Sequence, residues 1–103
     1  MRPTDDERRD VCPTDPDASE RERLLRDAAR VVCGERSEAY GAVEDCFGSI
    51  ADMWAAYLAH PITARDVANM MVLLKVTRNA RPGHRDNWVD IAGYAACGAE
   101  VDA

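Results

Sequence analysis

The sequence predicts an all-α protein, an antiparallel bundle of four helices behind a flexible acidic N-terminal arm. Three observations predict it. Apolar residues recur at three- and four-residue spacing in four separate stretches. Turn formers divide these stretches at Gly34, at Pro61 and at Arg81-Pro82-Gly83. No stretch alternates with the period of two that a strand requires.

Residues 1–17 hold three prolines, six acids and three arginines, with Val11 and Cys12 almost the only apolar content. Such a segment buries too little surface to offset its ordering entropy, so it is expected to be a flexible arm of net charge −3. The folded domain is expected over 18–103. Its first helix opens at Ser19, where Ser19 and Glu22 spell a capping box. Leu24, Ala28, Val31 and Val32, with Leu25 at the edge, form its apolar stripe, and Gly34 stops it.

The second helix is expected from about Val43 to Ala59, with Phe47, Ile50, Ala51, Trp54, Tyr57 and Leu58 on its apolar side. Pro61 ends it. Thr63 and Asp66 form a second capping box, and the third helix runs to about Asn79. Its apolar residues (Val67, Ala68, Met70 to Leu74, Val76) cover nearly every side. A helix of that kind is either central to the body or meets a second subunit. The small size of the domain favours a homo-oligomer. The fourth helix is expected from about Asp86 to Glu100.

Charge narrows the function. The chain carries 19 acids against 13 bases, a net of −6, and Lys75 is its one lysine. That balance argues against a nucleic-acid polymer or an anionic membrane surface as partner. The opening MRPTDDERRD has no apolar core of a secretory signal, and no apolar run reaches the ~20 residues of a membrane span. A cytoplasmic setting is expected. Cys12, Cys33, Cys46 and Cys97 contain no C-x-x-C, which argues against zinc, and a reducing compartment argues against disulfides. Cys33, Cys46 and Cys97 are expected to be small buried apolar residues.

Inside this acidic chain, residues 63–85 hold Arg65, Lys75, Arg78, Arg81 and Arg85 against Asp66 alone. The segment is either an anion site or a solvated basic turn. On the third helix Arg78 continues the line of Val67, Met71 and Leu74, with Lys75 beside it. On the fourth, Asp86, Asp90, Gly93, Tyr94 and Cys97 share a face. A short 79–85 turn makes these helices antiparallel neighbours and brings the two cations towards the two acids. Two readings follow. Plain ion pairs fasten the hairpin, or the four groups line a polar pocket. In the pocket, Asp86 and Asp90 hold a divalent cation such as Mg²⁺, and Lys75 and Arg78 hold phosphate. Tyr40-Gly41 precedes the second helix, and the glycine permits a left-handed turn or close backbone approach to a ligand. Glu44 either complements the helix dipole or reaches that pocket as a third metal ligand. Trp54 and Trp88 are expected in the core or an interface.

Four strings carry a resemblance: Tyr40-Gly41; F-x-x-I-A-x-x-W-x-x-Y-L from Phe47 to Leu58; I-T-x-x-D-V-A-x-M-M-V-L-L-K-V-x-R from Ile62 to Arg78; and D-x-W-V-D-I-A-G-Y-A-A from Asp86 to Ala96. Together they resemble a family of small uncharacterised bacteriophage and prophage proteins. More distantly the chain is similar to the MazG-type all-α nucleoside triphosphate pyrophosphohydrolases. That likeness implies magnesium on acids of facing helices and cleavage between the α- and β-phosphates. The hallmark of that group is E-x-x-E on one helix and E-x-x-D on a later one. Here Phe47 stands three residues after Glu44, and Asp86 and Asp90 are four apart.

The expected function is therefore binding of a nucleotide or similar phosphate-bearing ligand. The ligand is either hydrolysed with magnesium on Glu44, Asp86 and Asp90 or held without turnover, with Lys75 and Arg78 neutralising phosphate charge. The alternative is a non-enzymatic phage protein that docks on a host or phage protein through its acidic arm and apolar helices.

Overall fold

The computed structural model describes residues 17–34 and 41–102. The 1–17 arm lies outside that range except for Asp17, as do Cys12 and Tyr40. Four helices make up the described residues: α1 (Glu20–Cys33), α2 (Val43–Leu58), α3 (Ala64–Arg78) and α4 (Arg85–Val101). Among the described residues there is no strand.

Local chemistry sets the helix ends. The Ser19 hydroxyl accepts from the Glu22 amide at 3.2 Å, so Ser19 caps α1. The reciprocal half of that box is not made, because the Glu22 carboxylate is taken at 2.7 Å by Arg26 one turn on. At α3 the box is complete. Thr63 Oγ1 accepts from the Asp66 amide at 3.1 Å, and Asp66 Oδ2 accepts from the Thr63 amide at 2.9 Å. α2 ends on Ala59 in the left-handed region (φ 53°, ψ 44°), two residues before Pro61.

α3 and α4 form an antiparallel hairpin. Four contacts measure it: Arg78 with Asn87, Lys75 with Asp90, Ala68 with Gly98, and Arg65 with Asp102. As one residue number falls the other rises by nearly the same amount. The five-residue connection Ala59 to Thr63 turns α2 back onto α3. The core lies among these three helices, where Phe47, Ala51, Val67 and Ala68 are buried. Trp54, Met71, Tyr94 and Cys97 pack around them.

The first helix differs from a simple up-and-down bundle. α1 packs on α4, and its backbone comes close to neither α2 nor α3. The Arg85 guanidinium spans Glu20 (2.7 Å), the first residue of α1, and Asp27 (2.8 Å), two turns further on. Eight residues later, Gly93 lies against Val32. Both helices thus advance about 12 Å in the same direction at 1.5 Å per residue, so α1 runs parallel to α4. The short stretch from Gly34 to Val43 did not reveal this sense, because α2 begins near the level at which α1 ends.

Burial also departs from expectation on α3. One side holds the core, but Met70, Leu73, Leu74 and Val76 are exposed. The helix is apolar all round without being covered all round. Trp88 is exposed, and Cys33, the last residue of α1, is exposed rather than buried. Cys46 and Cys97 are half-buried, and among the described residues none of the three cysteines forms a disulfide.

Candidate functional site

A cleft of about 620 Å³ opens where α1 stops and α2 begins. α4 forms its floor through Val89, Gly93, Tyr94 and Cys97. Val31, Val32 and Cys33 of α1 wall one side, and Ala42, Val43, Cys46, Phe47 and Ile50 wall the other. Met71 closes the base. Among the described residues α1 and α2 stand apart, and the cleft lies over the α4 surface between them.

Polar groups gather at its edges. Glu44, Asp90 and Glu100 line it, and Gly41 contributes backbone in the left-handed region (φ 77°). Among the described residues, its chain neighbours aside, no atom lies within 4 Å of where a Gly41 side chain would begin, and its positive φ is the conformation that favours glycine. Asp90 is held from behind by Lys75, whose Nζ is 2.8 Å from Oδ2.

The structure divides the residues singled out from the sequence. Gly41, Glu44 and Asp90 line one cleft, and Lys75 joins it through Asp90. Asp86 does not line it. It sits at the exposed first turn of α4 in a small depression with Gly83, His84, Arg85 and Asn87. Arg78 is exposed and offers its carbonyl to Asn87 Nδ2 at 3.1 Å. Glu44, Asp86 and Asp90 therefore do not form a cluster. Among the described residues no group of three or more His, Cys, Asp or Glu is placed to hold a metal ion. Tyr40 lies outside the described residues.

The basic 63–85 segment is largely neutralised. Arg65 pairs with Asp102 at 3.2 Å, Lys75 with Asp90, and Arg85 with Glu20 and Asp27. The two carboxylates beside Arg85 hold its guanidinium even more firmly charged than usual. Most of the local positive charge thus ties helices together.

Sequence reasoning did not find the end of α1 or Glu100 as lining groups. Glu100 follows Cys97 by three residues, a spacing that continues the face already carrying Asp90, Gly93, Tyr94 and Cys97. No sequence signal marks Val31 to Cys33, because their place depends on α1 being parallel to α4.

Comparisons with known proteins give a family and two phage relatives. Residues 23–102 match the family described as a domain of unknown function, DUF6378. The Gene 55 protein of Mycobacterium phage D29 is 43% identical over 77 residues, covering 74% of this chain and 51% of that protein. The Gene 55 protein of Mycobacterium phage L5 is 42% identical over 74 residues, covering 70% and 47% respectively. The chain thus spans about half the length of the curated relatives it matches. No solved structure matches. No helix among the described residues is long and apolar enough to cross a membrane.

Proposed function

The chain belongs to the DUF6378 family, and from that premise we propose that it is a small phage-type protein whose cleft binds a nucleotide or a similar phosphate-bearing molecule. The observation that carries this reading is the cleft itself. It is about 620 Å³, mostly apolar, with a few polar groups gathered at its edge. That size and composition are those of small-molecule sites. Its apolar floor of Val89, Gly93 and Tyr94 suits the flat face of a base.

Phosphates need positive charge, and the cleft edge is acidic. A divalent cation resolves the conflict. Mg²⁺ is commonly held by one or two carboxylates together with substrate phosphates and its own waters. Glu44 and Asp90 are the two carboxylates that would hold it, and bound there it would neutralise phosphate charge. Lys75 fixes the Asp90 carboxylate in place, so its role is positioning. The distant MazG-type resemblance motivates a hydrolytic version of this reading, with two of the three expected acids at the cleft. Binding without turnover requires only those two.

Thermal shift of the full chain with nucleoside mono-, di- and triphosphates, with and without Mg²⁺, tests the reading. Stabilisation that needs both ligand and Mg²⁺ is expected. It should be lost in Glu44→Gln and kept in Asp86→Asn, whose side chain stands outside the cleft. Absence of any stabilisation, or stabilisation indifferent to Glu44→Gln, overturns it. Pyrophosphate release in the same samples separates an enzyme from a binding protein.

A further inference from the structure

We propose that α1 is a hinged wall of the cleft, which lifts from α4 as a unit when its Arg85 latch is released, while α2, α3 and α4 stay packed. This goes beyond the ligand reading, because it concerns how the cleft opens and holds whatever the cleft takes.

The helices divide into two unequal parts. The buried core of Phe47, Ala51, Val67 and Ala68, and the half-buried residues packed on it, come from α2, α3, α4 and the α2–α3 connection. None of them belongs to α1. Within α1 only Ala28 is buried, and Leu25 is 61% exposed. The α1 backbone comes close to that of α4 alone. A helix with so few buried apolar groups belongs to the less stable part of a fold, the part that opens locally before the whole unfolds.

Polar contacts fix where α1 is held. Arg85 Nε lies 2.7 Å from a Glu20 carboxylate oxygen and Nη2 lies 2.8 Å from Asp27, so one guanidinium grips two successive levels of the helix. Arg85 is the first residue of α4, where a cation opposes the helix dipole. Its charge therefore serves α1 and not the helix that carries it. The pairs Arg23–Glu20, Arg26–Glu22 and Arg30–Asp27 lie within α1 and would travel with it. Past Asp27 the seat is apolar: Val32 rests against Gly93, and Val31, Val32 and Cys33 form the cleft wall. Latch and wall thus occupy opposite ends of one rod about 20 Å long. Releasing the first frees the second and bares the Val89 and Gly93 floor from the α1 side.

Amide hydrogen exchange on the full chain, without ligand, tests this. The α1 amides from Leu24 to Cys33 are expected to exchange together, about tenfold or more faster than the protected amides of α3 and α4. Arg85→Met should speed α1 by a further factor of about three to ten and leave α3 and α4 unchanged. Glu20→Gln combined with Asp27→Asn breaks the same contacts with Arg85 in place and should act likewise. Raising salt from about 0.1 M to about 1 M should speed α1 in the wild type and have little effect in Arg85→Met. Arg65→Met, which removes the Arg65–Asp102 pair, should leave α1 as it was. Protection of α1 equal to that of α3 and α4 overturns the inference. So does α1 exchange indifferent to Arg85→Met, to the double variant or to salt. Acceleration of all four helices alike by Arg85→Met, or of α1 by Arg65→Met as much as by Arg85→Met, removes Arg85 as the latch.

Discussion

Lys75 Nζ sits 2.8 Å from Asp90 Oδ2, with side chains only 16 and 21% exposed. The other ion pairs described lie nearer the surface, on at least one side. This contact joins the last turn of α3 to the edge of the cleft, so it links the hairpin to the candidate site.

Removing one partner alone should be costly, since it leaves a sheltered charge without its counterion. Lys75→Met is expected to lower stability by about 1–3 kcal/mol. Lys75→Met combined with Asp90→Leu should recover much of that loss, because burying two apolar groups carries no desolvation penalty. Urea unfolding of the four species gives the coupling directly. Losses that simply add would show that the pair contributes nothing beyond its separate parts.

Two glycines of α4 should behave differently although both sit in one helix. A β-carbon on Gly93 would lie 3.1 Å from Val32 Cγ1, and one on Gly98 would lie 3.1 Å from the Ala68 β-carbon. Either alanine gains about 1 kcal/mol of helix propensity. Val32 can shift a methyl, whereas the Ala68 β-carbon is fixed to the α3 backbone. Gly93→Ala is therefore expected to be neutral or stabilising, and Gly98→Ala to be the less stable of the two. The order of their urea midpoints checks this.

The ends of α1 and α2 give opposite expectations. Ala59 holds a left-handed conformation in which its β-carbon is unfavourable, so Ala59→Gly should stabilise by about 1 kcal/mol. At Gly34 a β-carbon would lie 2.5 Å from the Arg30 carbonyl oxygen, which forces the backbone to move. Gly34→Ala should lower the melting temperature. A rise at Gly34 or a fall at Ala59 would refute the corresponding cap geometry.

The α3 cap predicts a pH dependence. Hydrogen bonds from the Thr63 backbone and hydroxyl, the backbone bond first, hold the Asp66 carboxyl below its ordinary value. A depressed acid contributes stability that is present above its unfolded value of about 3.9 and lost as pH falls through the lower folded value. Asp66→Ala should therefore melt below the wild type at pH 7, and the gap should close as the solution is acidified. A gap that persists unchanged in acid would show that the carboxylate charge plays no part in the cap.

Much of the architecture was legible in residue order because it is local. Ser19, Thr63 and Asp66 name helix starts from three-residue spacing alone, and the two glycines and Pro61 name the breaks. The hairpin was legible too, since a short turn leaves α3 and α4 no other place to pack. That is why Lys75 and Arg78 are expected near Asp86 and Asp90, and of these four groups the structure joins Lys75 to Asp90. The candidate site was legible only in part. Asp86 and Asp90 share a helix face at four-residue spacing, but one turn of rise separates a sheltered wall from an exposed first turn.

By itself the sequence determined the four helices, the caps of α1 and α3, the α3–α4 hairpin and the face carrying Asp90, Gly93, Tyr94 and Cys97. These depend on contacts between residues close in the chain or joined by a short turn. The tertiary structure decided that α1 runs parallel to α4, that it stands apart from α2, and that the cleft lined by Gly41, Glu44 and Asp90 lies between them. Those features rest on contacts such as Arg85 with Glu20 and Gly93 with Val32, some sixty residues apart in the chain. No local spacing encodes them, because they follow from which surfaces remain free once the hairpin has formed.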